Sequence, residues 1–398
     1  MSYLRNDAIN RVNLHTGIQA LAQGSGGIFF LVFLLMAGIS VPLTLVALAG
    51  VVTGRFVLRP AIVPLAKRFG VKPLLIAGTL ILALQYPLLA EVNGIGPALY
   101  AFVAVAAVGD IFYWPSYHAY FAALGDDEHR GHQIGAREAL SAVVGIVAPL
   151  LGTWAIVAAG PLLAFTAVGL VQALAVVPLI SVPNVTVKQT APGVFKAARL
   201  TVALMVIDGW FMSGFFFVWQ IALFVSLGGN IPAYGGAMAL AGLAGAGGGL
   251  LIGRHVDLGH GRRAVVIGYG VAAALVALRG FSLGSPWLAV TANALGALAL
   301  PLFAPGMGTA MYTMAKASPC TLRFSVATEA GWDFGTFVGC LAAAGLYAAG
   351  LSLQEGILQA VPAAAAAIWL LRRYYAKRGR PSPTAPIMTV GTTGMGGV

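Results

Sequence analysis

Two arginines lie inside a long apolar stretch, residues 41–72. Arg55 and Arg59 are one helical turn apart, so they share a face if the stretch is a helix. A charge at the centre of a membrane-spanning helix costs about 2.5–3.5 kcal/mol on insertion scales. The spacing therefore predicts that both guanidinium groups face a wet or protein-lined cavity with acidic partners, unless the stretch does not cross a membrane.

A carboxylate and three aromatic residues share one face of a second apolar run. Asp110 is followed at helical spacing by Tyr113, Trp114 and Tyr117. One interpretation is a carboxylate that binds a proton or cation beside an aromatic wall that contacts substrate. The other is an ion pair of Asp110 with Arg55 or Arg59 that joins two helices.

A third apolar run carries Asp208 about nine residues from its start. Phe211, Phe215 and Trp219 continue along that face. Asp208 is predicted either to bind a proton or to bond to backbone at a helix–helix interface.

Two acidic residues, Glu329 and Asp333, lie one helical turn apart with Trp332 between them. Carboxylates this close repel when both are ionised, which favours proton uptake by one of them. This spacing suits proton exchange. The competing interpretation is that Glu329 only neutralises Arg323 or Arg254 near the membrane surface.

Amide side chains in apolar runs are the remaining polar candidates. Gln19 and Gln23 lie on one stripe with His15, and Asn293 lies in a later run. Such amides bond to a ligand or to a neighbouring helix. His15, near the inner end of its run, is predicted to be solvated.

Catalytic and cofactor motifs are missing from the sequence. There is no G-x-S-x-G elbow, no H-E-x-x-H pair, and no phosphate-binding loop. We therefore predict no enzyme activity, no metal site and no cofactor.

Composition indicates a helical membrane protein. Hydrophobic residues make up 59% of the 398 residues and charged residues only 9%, against about 25% charged in soluble domains. The net charge of +11 could suggest nucleic acid, but of the 23 lysines and arginines only Arg55, Arg59 and Arg279 fall outside the predicted inner ends. This one-sided distribution is a topology signal and argues against a nucleic-acid surface.

Twelve apolar runs divide the chain into two similar halves. The predicted domains are an N-terminal six-helix bundle at 1–181, a cytoplasmic linker at 182–199, a C-terminal bundle at 200–378 and a disordered tail at 379–398. Both termini are predicted to be cytoplasmic, in a monomer of the bacterial inner membrane. The predicted spans are 14–37, 41–66, 73–92, 96–121, 134–157, 161–181, 200–227, 232–253, 264–282, 286–311, 325–350 and 356–371.

Two loops resemble the signature of the major facilitator superfamily, G-x-x-x-D-R/K-x-G-R/K-R/K. The resemblance covers about residues 10–378. It implies an inner gate that uses both loops, although Lys67 replaces the aspartate in the first. The matching residues are Arg68, Gly70 and Lys72 in the first loop, and Gly253, Asp257, Arg262 and Arg263 in the second.

The fifth span resembles the antiporter motif of that superfamily. Gly135, Pro149 and Gly152 match, whereas Ala148 and Thr153 replace glycines. The resemblance implies an all-α fold of twelve helices in two pseudo-symmetric bundles, with the substrate cavity between them. It also implies that spans one, four, seven and ten line that cavity.

The function predicted from these features is proton-coupled export of a small amphipathic organic solute by alternating access. Its partners would be the solute, protons and the lipid bilayer. The alternative is proton-coupled uptake of an organic anion, recognised by Arg55 and Arg59. A membrane receptor or intramembrane enzyme is a further class, which would need a soluble domain or a catalytic set that the sequence lacks.

Overall fold

The computed structural model describes residues 6–124, 130–187, 190–256 and 261–378, and within them it is helical with no strand. We number its long helical segments α1–α12 in chain order. They are Asp7–Met36, Val41–Phe69, Val71–Ala90, Pro97–Leu124, Arg130–Ala159, Pro161–Leu179, Val194–Ser226, Ile231–Val256, Gly261–Phe281, Pro286–Lys316 (broken at Leu298), Thr321–Ala348 and Leu353–Arg378 (broken at Gln359).

These segments coincide in position with the twelve predicted spans. Nine of them are long and apolar enough to cross a membrane within the described residues. The other three are α8, α10 and α11. Helix α11 carries charged residues in its first half. In α8 and α10, the structure does not describe every side chain. The all-α membrane fold is therefore confirmed, and the helix positions are consistent with twelve spans.

Several helices extend beyond their apolar runs. The side chain of Asn6 accepts a hydrogen bond from the backbone N–H of Ile9, so α1 begins seven residues before its predicted span. Helix α7 begins at Val194, inside the predicted linker. Polar residues continue a helix past the hydrocarbon core, so hydropathy alone underestimates helix length. The predicted disordered tail lies outside the described residues.

Small residues allow close packing within the first bundle. A Cβ placed at Gly78 of α3 would lie 2.6 Å from the backbone nitrogen of Tyr113 in α4. At Gly152 of α5, a Cβ would lie 2.7 Å from the carbonyl carbon of Ser25 in α1. Helices in lipid gain little from the hydrophobic effect and associate through such contacts.

The most extensive contacts between the two halves are along two helix pairs. Helix α2 packs against α11, and α5 packs against α8. In the second pair a Cβ at Gly242 would lie 2.7 Å from the carbonyl carbon of Gly145. The hydroxyl of Tyr234 in α8 also donates to the backbone carbonyl of Ile28 in α1, at 3.1 Å.

Two helices contain a turn of altered winding. Helix α1 has a 3-10 turn at Gly27–Phe29, and α7 has a π-helical segment at Ser213–Val218. These turns fall at corresponding depths of the first helix of each half. A π segment adds a residue to a turn and is frequent at functional sites.

The start of the predicted linker is attached to the α2–α3 turn. The ammonium of Lys72 donates to the carbonyls of Ile180 and Val182, at 3.0 and 2.8 Å. The side chain of Asn184 accepts from the Lys72 backbone N–H and donates to the carbonyl of Phe69. We call this end of the bundle, which also contains the C-terminal end of α12, the inner end.

Close packing of α7 and α11 generates a stability prediction. A Cβ at Gly335 would lie 2.8 Å from the carbonyl carbon of Val206 and 3.0 Å from the backbone nitrogen of Trp210. Backbone atoms cannot move aside easily, so Gly335→Ala should destabilise the protein by about 1–3 kcal/mol. Thermal unfolding of the purified protein in detergent measures this loss.

The matched control is Gly345→Ala in the same helix, where an added Cβ has no atom within 4 Å. This variant should keep or slightly raise the melting temperature, because alanine favours helix more than glycine does. Equal melting temperatures for the two variants would contradict the packing described for α7 and α11.

Candidate functional site

A buried cluster of charges joins α2 and α4 of the first half to α11 of the second. We call it the charge network; its members are Arg55, Arg59, Asp110, Glu329 and Asp333. The guanidinium of Arg55 donates from Nη1 to Asp110 Oδ2 at 3.1 Å. Its Nε lies 2.9 Å from Asp333 Oδ1, and its Nη2 lies 3.7 Å from Glu329 Oε2.

The second arginine completes the network. Arg59 Nη2 donates to Asp333 Oδ2, and its Nη1 lies 3.9 Å from Glu329 Oε2. Arg59 is 1% exposed and Asp333 is 0% exposed. Charges withdrawn from water to this degree are tolerated only when they are paired.

The local sequence explains why the two sets of charges meet. Arg55 and Arg59 are four residues apart in α2, and Glu329 and Asp333 are four residues apart in α11. Each pair therefore shows its charges on one face, and the two faces meet where α2 packs against α11. Pro60 follows Arg59 in a short 3-10 turn, Arg59–Ala61, at the edge of the network.

Aromatic side chains line the same cluster. The indole of Trp114 donates to Asp110 Oδ1 at 3.1 Å, and the Arg55 guanidinium lies 5.3 Å from the centre of the Trp332 ring. Tyr113 and Tyr117 are buried and stack with ring centres 5.9 Å apart. The face predicted for α4 is thus assembled, and Arg55 and Asp110 form the ion pair that was one of its two interpretations.

Histidine 118 belongs to the site but was not among the predicted residues. Its Nε2 lies 3.5 Å from Glu329 Oε1, across the boundary between the halves. The signal in the sequence was the series Asp110, Trp114 and His118, which repeats every four residues. His118 fits no metal-binding motif, but its spacing places it on the same helix face as Asp110 and Trp114.

The formal charges of the network do not balance. Two guanidinium groups face three carboxylates, so the network with neutral His118 carries one excess negative charge. The charge of this network therefore affects the attraction between α2 and α11 across the boundary between the halves.

One predicted proton-coupling carboxylate, Asp208, is not a member of the charge network but lies next to it. Asp208 is half-buried beside Trp332 and Tyr269, and it forms no ion pair with a described residue. The three aromatic residues predicted on its face, Phe211, Phe215 and Trp219, are buried. They pack inside the second half rather than on an open cavity wall.

Arg279 of α9 is a second residue that sequence reasoning missed. It is 5% exposed and donates from Nη1 to the carbonyl of Phe215 at 2.6 Å. Its guanidinium also lies 4.5 and 5.0 Å from the rings of Phe215 and Trp219. Among the described residues it has no acidic partner. In the sequence, Arg279 is far from the clusters of basic residues at the predicted inner ends, and this position could have identified it as a candidate site residue.

The side chains of the predicted amide residues lie in different surroundings. Gln19 is buried, and Gln23 lies against Gly27 in its own helix. The side-chain oxygen of Asn293 accepts from the Trp219 indole at 2.9 Å, and its amide donates to the carbonyl of Ala237 at 2.9 Å. Asn293 therefore holds neighbouring helices together.

The prediction that His15 is solvated is wrong. Its ring is fully buried, 2.7 Å from the carbonyl oxygen of Ala175 and 3.2 Å from the hydroxyl of Tyr113. Helix α1 begins earlier than its apolar run, so His15 lies deeper in the bundle than hydropathy suggested.

Residues of the predicted inner gate are only partly described. Gly70 forms the α2–α3 turn with φ +83°, and Arg68 is exposed. Arg262 and Arg263 are exposed at the start of α9. Asp257, which belongs to the same predicted loop motif, lies outside the described residues.

Comparisons with known proteins agree with this architecture. Residues 16–202 match the family model of the Major Facilitator Superfamily. The solved structure of the human organic anion transporter MFSD10 (TETRAN) has a TM-score of 0.66 at 15% identity, covering 92% of this chain and 99% of that one. A search of curated protein sequences found no match.

Two further structures share the fold. FucP, a Major Facilitator Superfamily transporter in the outward conformation, has a TM-score of 0.66 at 13% identity, covering 94% of this chain and 99% of that one. A peptide transporter, POT, in complex with sulfate has a TM-score of 0.64 at 12% identity, with 93% and 94% covered.

The contact between Arg59 and Asp333 can be tested by a double-mutant cycle. Arg59→Gln leaves Asp333 as a buried charge with a weakened partner, so it should lower stability by about 3–5 kcal/mol. Adding Asp333→Asn should restore much of that loss, because neither charge then remains. Thermal unfolding in detergent is the measurement.

The control replaces the exposed Arg68 by glutamine, which should cost little. Strictly additive losses for Arg59→Gln and Asp333→Asn would show that the two side chains do not interact.

Proposed function

The chain belongs to the Major Facilitator Superfamily, and we propose that it is a proton-coupled transporter that exports a small amphipathic organic solute. The family and the fold make it a secondary transporter rather than an enzyme. Proton coupling, export and the class of solute are the proposal. It places the protein in the bacterial inner membrane as a monomer with both termini in the cytoplasm.

The main support for proton coupling is the charge network between the halves, which contains three carboxylates but only two guanidinium groups. Alternating access requires the two halves to move against each other around a central site. Moving α2 away from α11 separates Arg59 from Asp333, which is costly while both are charged and shielded from water. A proton on Asp333 or Glu329 weakens that attraction and so changes the balance between conformations.

Asp208 is the second proton-binding candidate. It lies beside Trp332, which also contacts Arg55 of the network. A change of charge at Asp208 would therefore alter the electrostatic potential next to the boundary between the halves. Its place on the first helix of the second half supports this role.

Support for export comes from α5, the helix that resembles the antiporter motif. A Cβ at Gly24 of α1 would lie 2.7 Å from the Cβ of Ala148, and Gly152 packs on Ser25 of the same helix. Gly145 of α5 also packs on α8. The matching residue Gly152 and the replaced position Ala148 thus lie where α5 packs against α1.

An amphipathic solute fits the chemistry of the site. Both arginines of α2 have acidic partners, so they supply no free positive charge for an anion. Trp114, Tyr117 and Trp332 supply aromatic surface close to those charges. Aromatic walls with a few polar groups are typical of sites for small organic molecules.

Arg279 favours the alternative, uptake of an organic anion. It is a buried cation held by π faces and a carbonyl, and its Nε has no hydrogen-bond partner in the described part of the chain. The structural neighbour MFSD10 is described as an organic anion transporter. In this alternative, Arg279 binds the negative group of the solute.

A two-step experiment tests proton coupling. Thermal-shift screening of the purified protein against organic cations, neutral compounds and anions at two pH values first identifies a binding solute. Its flux into proteoliposomes is then measured with and without an imposed pH gradient. We expect gradient-dependent flux, and Glu329→Gln should reduce that dependence roughly tenfold, within the usual 1–3 kcal/mol of coupling between sites.

The matched control is Glu91→Gln, a carboxylate-to-amide change on an exposed residue between α3 and α4. It should leave gradient-dependent flux unchanged. Flux that ignores the pH gradient in the unmodified protein would overturn proton coupling. Unaltered gradient dependence in Glu329→Gln would remove this carboxylate from the mechanism.

A substitution at Arg279 separates the two solute classes. If the solute is an organic anion, Arg279→Gln should abolish its thermal stabilisation of the protein, and Arg279→Lys should retain part of it because the charge remains. If only cations or neutral compounds stabilise the protein, the anion alternative is rejected. The same thermal-shift assay reports both results.

A further inference from the structure

A groove lies between the inner ends of α9 and α12, away from the charge network. Its volume is about 400 Å³. The two helices that form it pack directly against each other. The residues that line it are Arg262, Ala365, Ile368, Trp369, Arg372, Arg373 and Ala376.

Three arginines with no acidic residue among them surround this groove. Arg262, Arg372 and Arg373 are all exposed, and none forms an ion pair with a described residue. The Arg373 guanidinium stacks 3.8 Å from the centre of the Trp369 ring. Stacking on a ring face leaves the in-plane N–H donors of a guanidinium group available for hydrogen bonds.

The remaining lining is apolar and belongs to the lipid-facing surface. Trp369 is 52% exposed. Ala365 and Ile368 continue this surface along α12, away from the arginines. One end of the groove is therefore cationic, and the other is an apolar wall that leads toward the hydrocarbon core.

We propose that this groove binds an anionic phospholipid, with its phosphate on the three arginines and an acyl chain along Ile368 and Trp369. Planar guanidinium groups bind phosphate oxygens through paired hydrogen bonds. A basic pocket between membrane helices, with aromatic surface beside it, is suited to a lipid headgroup. A free phosphate ion would leave the apolar wall unused, so the lipid explains both parts of the groove.

The proposal does not depend on the solute, the coupling ion or the direction of transport. The lipid would bridge the first turn of α9 and the last turns of α12, two helices of the second half. Its test is a direct binding measurement on the full-length protein.

Native mass spectrometry of the purified protein with phosphatidylglycerol measures this binding. Arg372→Gln combined with Arg373→Gln should weaken it about 30-fold, at the usual contribution of each basic side chain near a membrane surface. The matched control combines Lys196→Gln with Arg199→Gln, two exposed basic residues at the start of α7. This control removes the same charge and should leave binding unchanged.

Three results would overturn the assignment. Equal loss in both double variants would indicate general charge attraction. Equal binding of phosphatidylcholine would show that the anionic headgroup is not recognised. Competition by inorganic phosphate at the concentration of the lipid would indicate a site for a soluble anion.

A single variant provides a second measurement if the double variant at α12 does not fold. Arg262→Gln removes the arginine on α9 and should weaken phosphatidylglycerol binding about fivefold. Unchanged binding in Arg262→Gln would also contradict the proposed site.

Discussion

The rest of the structure depends on pairing charge inside an apolar bundle. Arg55 and Arg59 would be very unfavourable in α2 if they faced lipid, so α2 must turn them toward acidic groups. Those groups are on α4 and α11, and α11 belongs to the opposite half. The requirement to pair charge thus determines how α2 is rotated and which helix it meets across the boundary.

The boundary between the halves combines two kinds of contact. Glycine contacts, such as Gly242 of α8 on Gly145 of α5, bring the backbones of two helices close together. The charge network between α2 and α11 is directional and responds to protonation. A boundary of this composition can be held in one arrangement by charge and still allow the helices to slide when the charge changes.

The sequence predicted most of the fold but only part of the site. Apolar runs and one-sided charge located the helices, because both are local properties of the chain. The ion pair of Arg55 with Asp110 was one of two open interpretations, since helical spacing shows which face a residue takes but not what lies opposite. For the same reason no pattern could pair Arg59 with Asp333, which is 274 residues away. His118 and Arg279 were missed because each has a role only through residues distant in sequence.

The opposite winding of α1 and α7 makes the internal duplication inexact. The 3-10 turn at Gly27–Phe29 overwinds one helix, whereas the π segment at Ser213–Val218 underwinds its counterpart. Side chains beyond these turns are rotated in opposite senses about their helix axes. A molecule enclosed between the repeats therefore meets two chemically different surfaces, so it can be held in one orientation and not in the orientation related to it by the pseudo-two-fold axis.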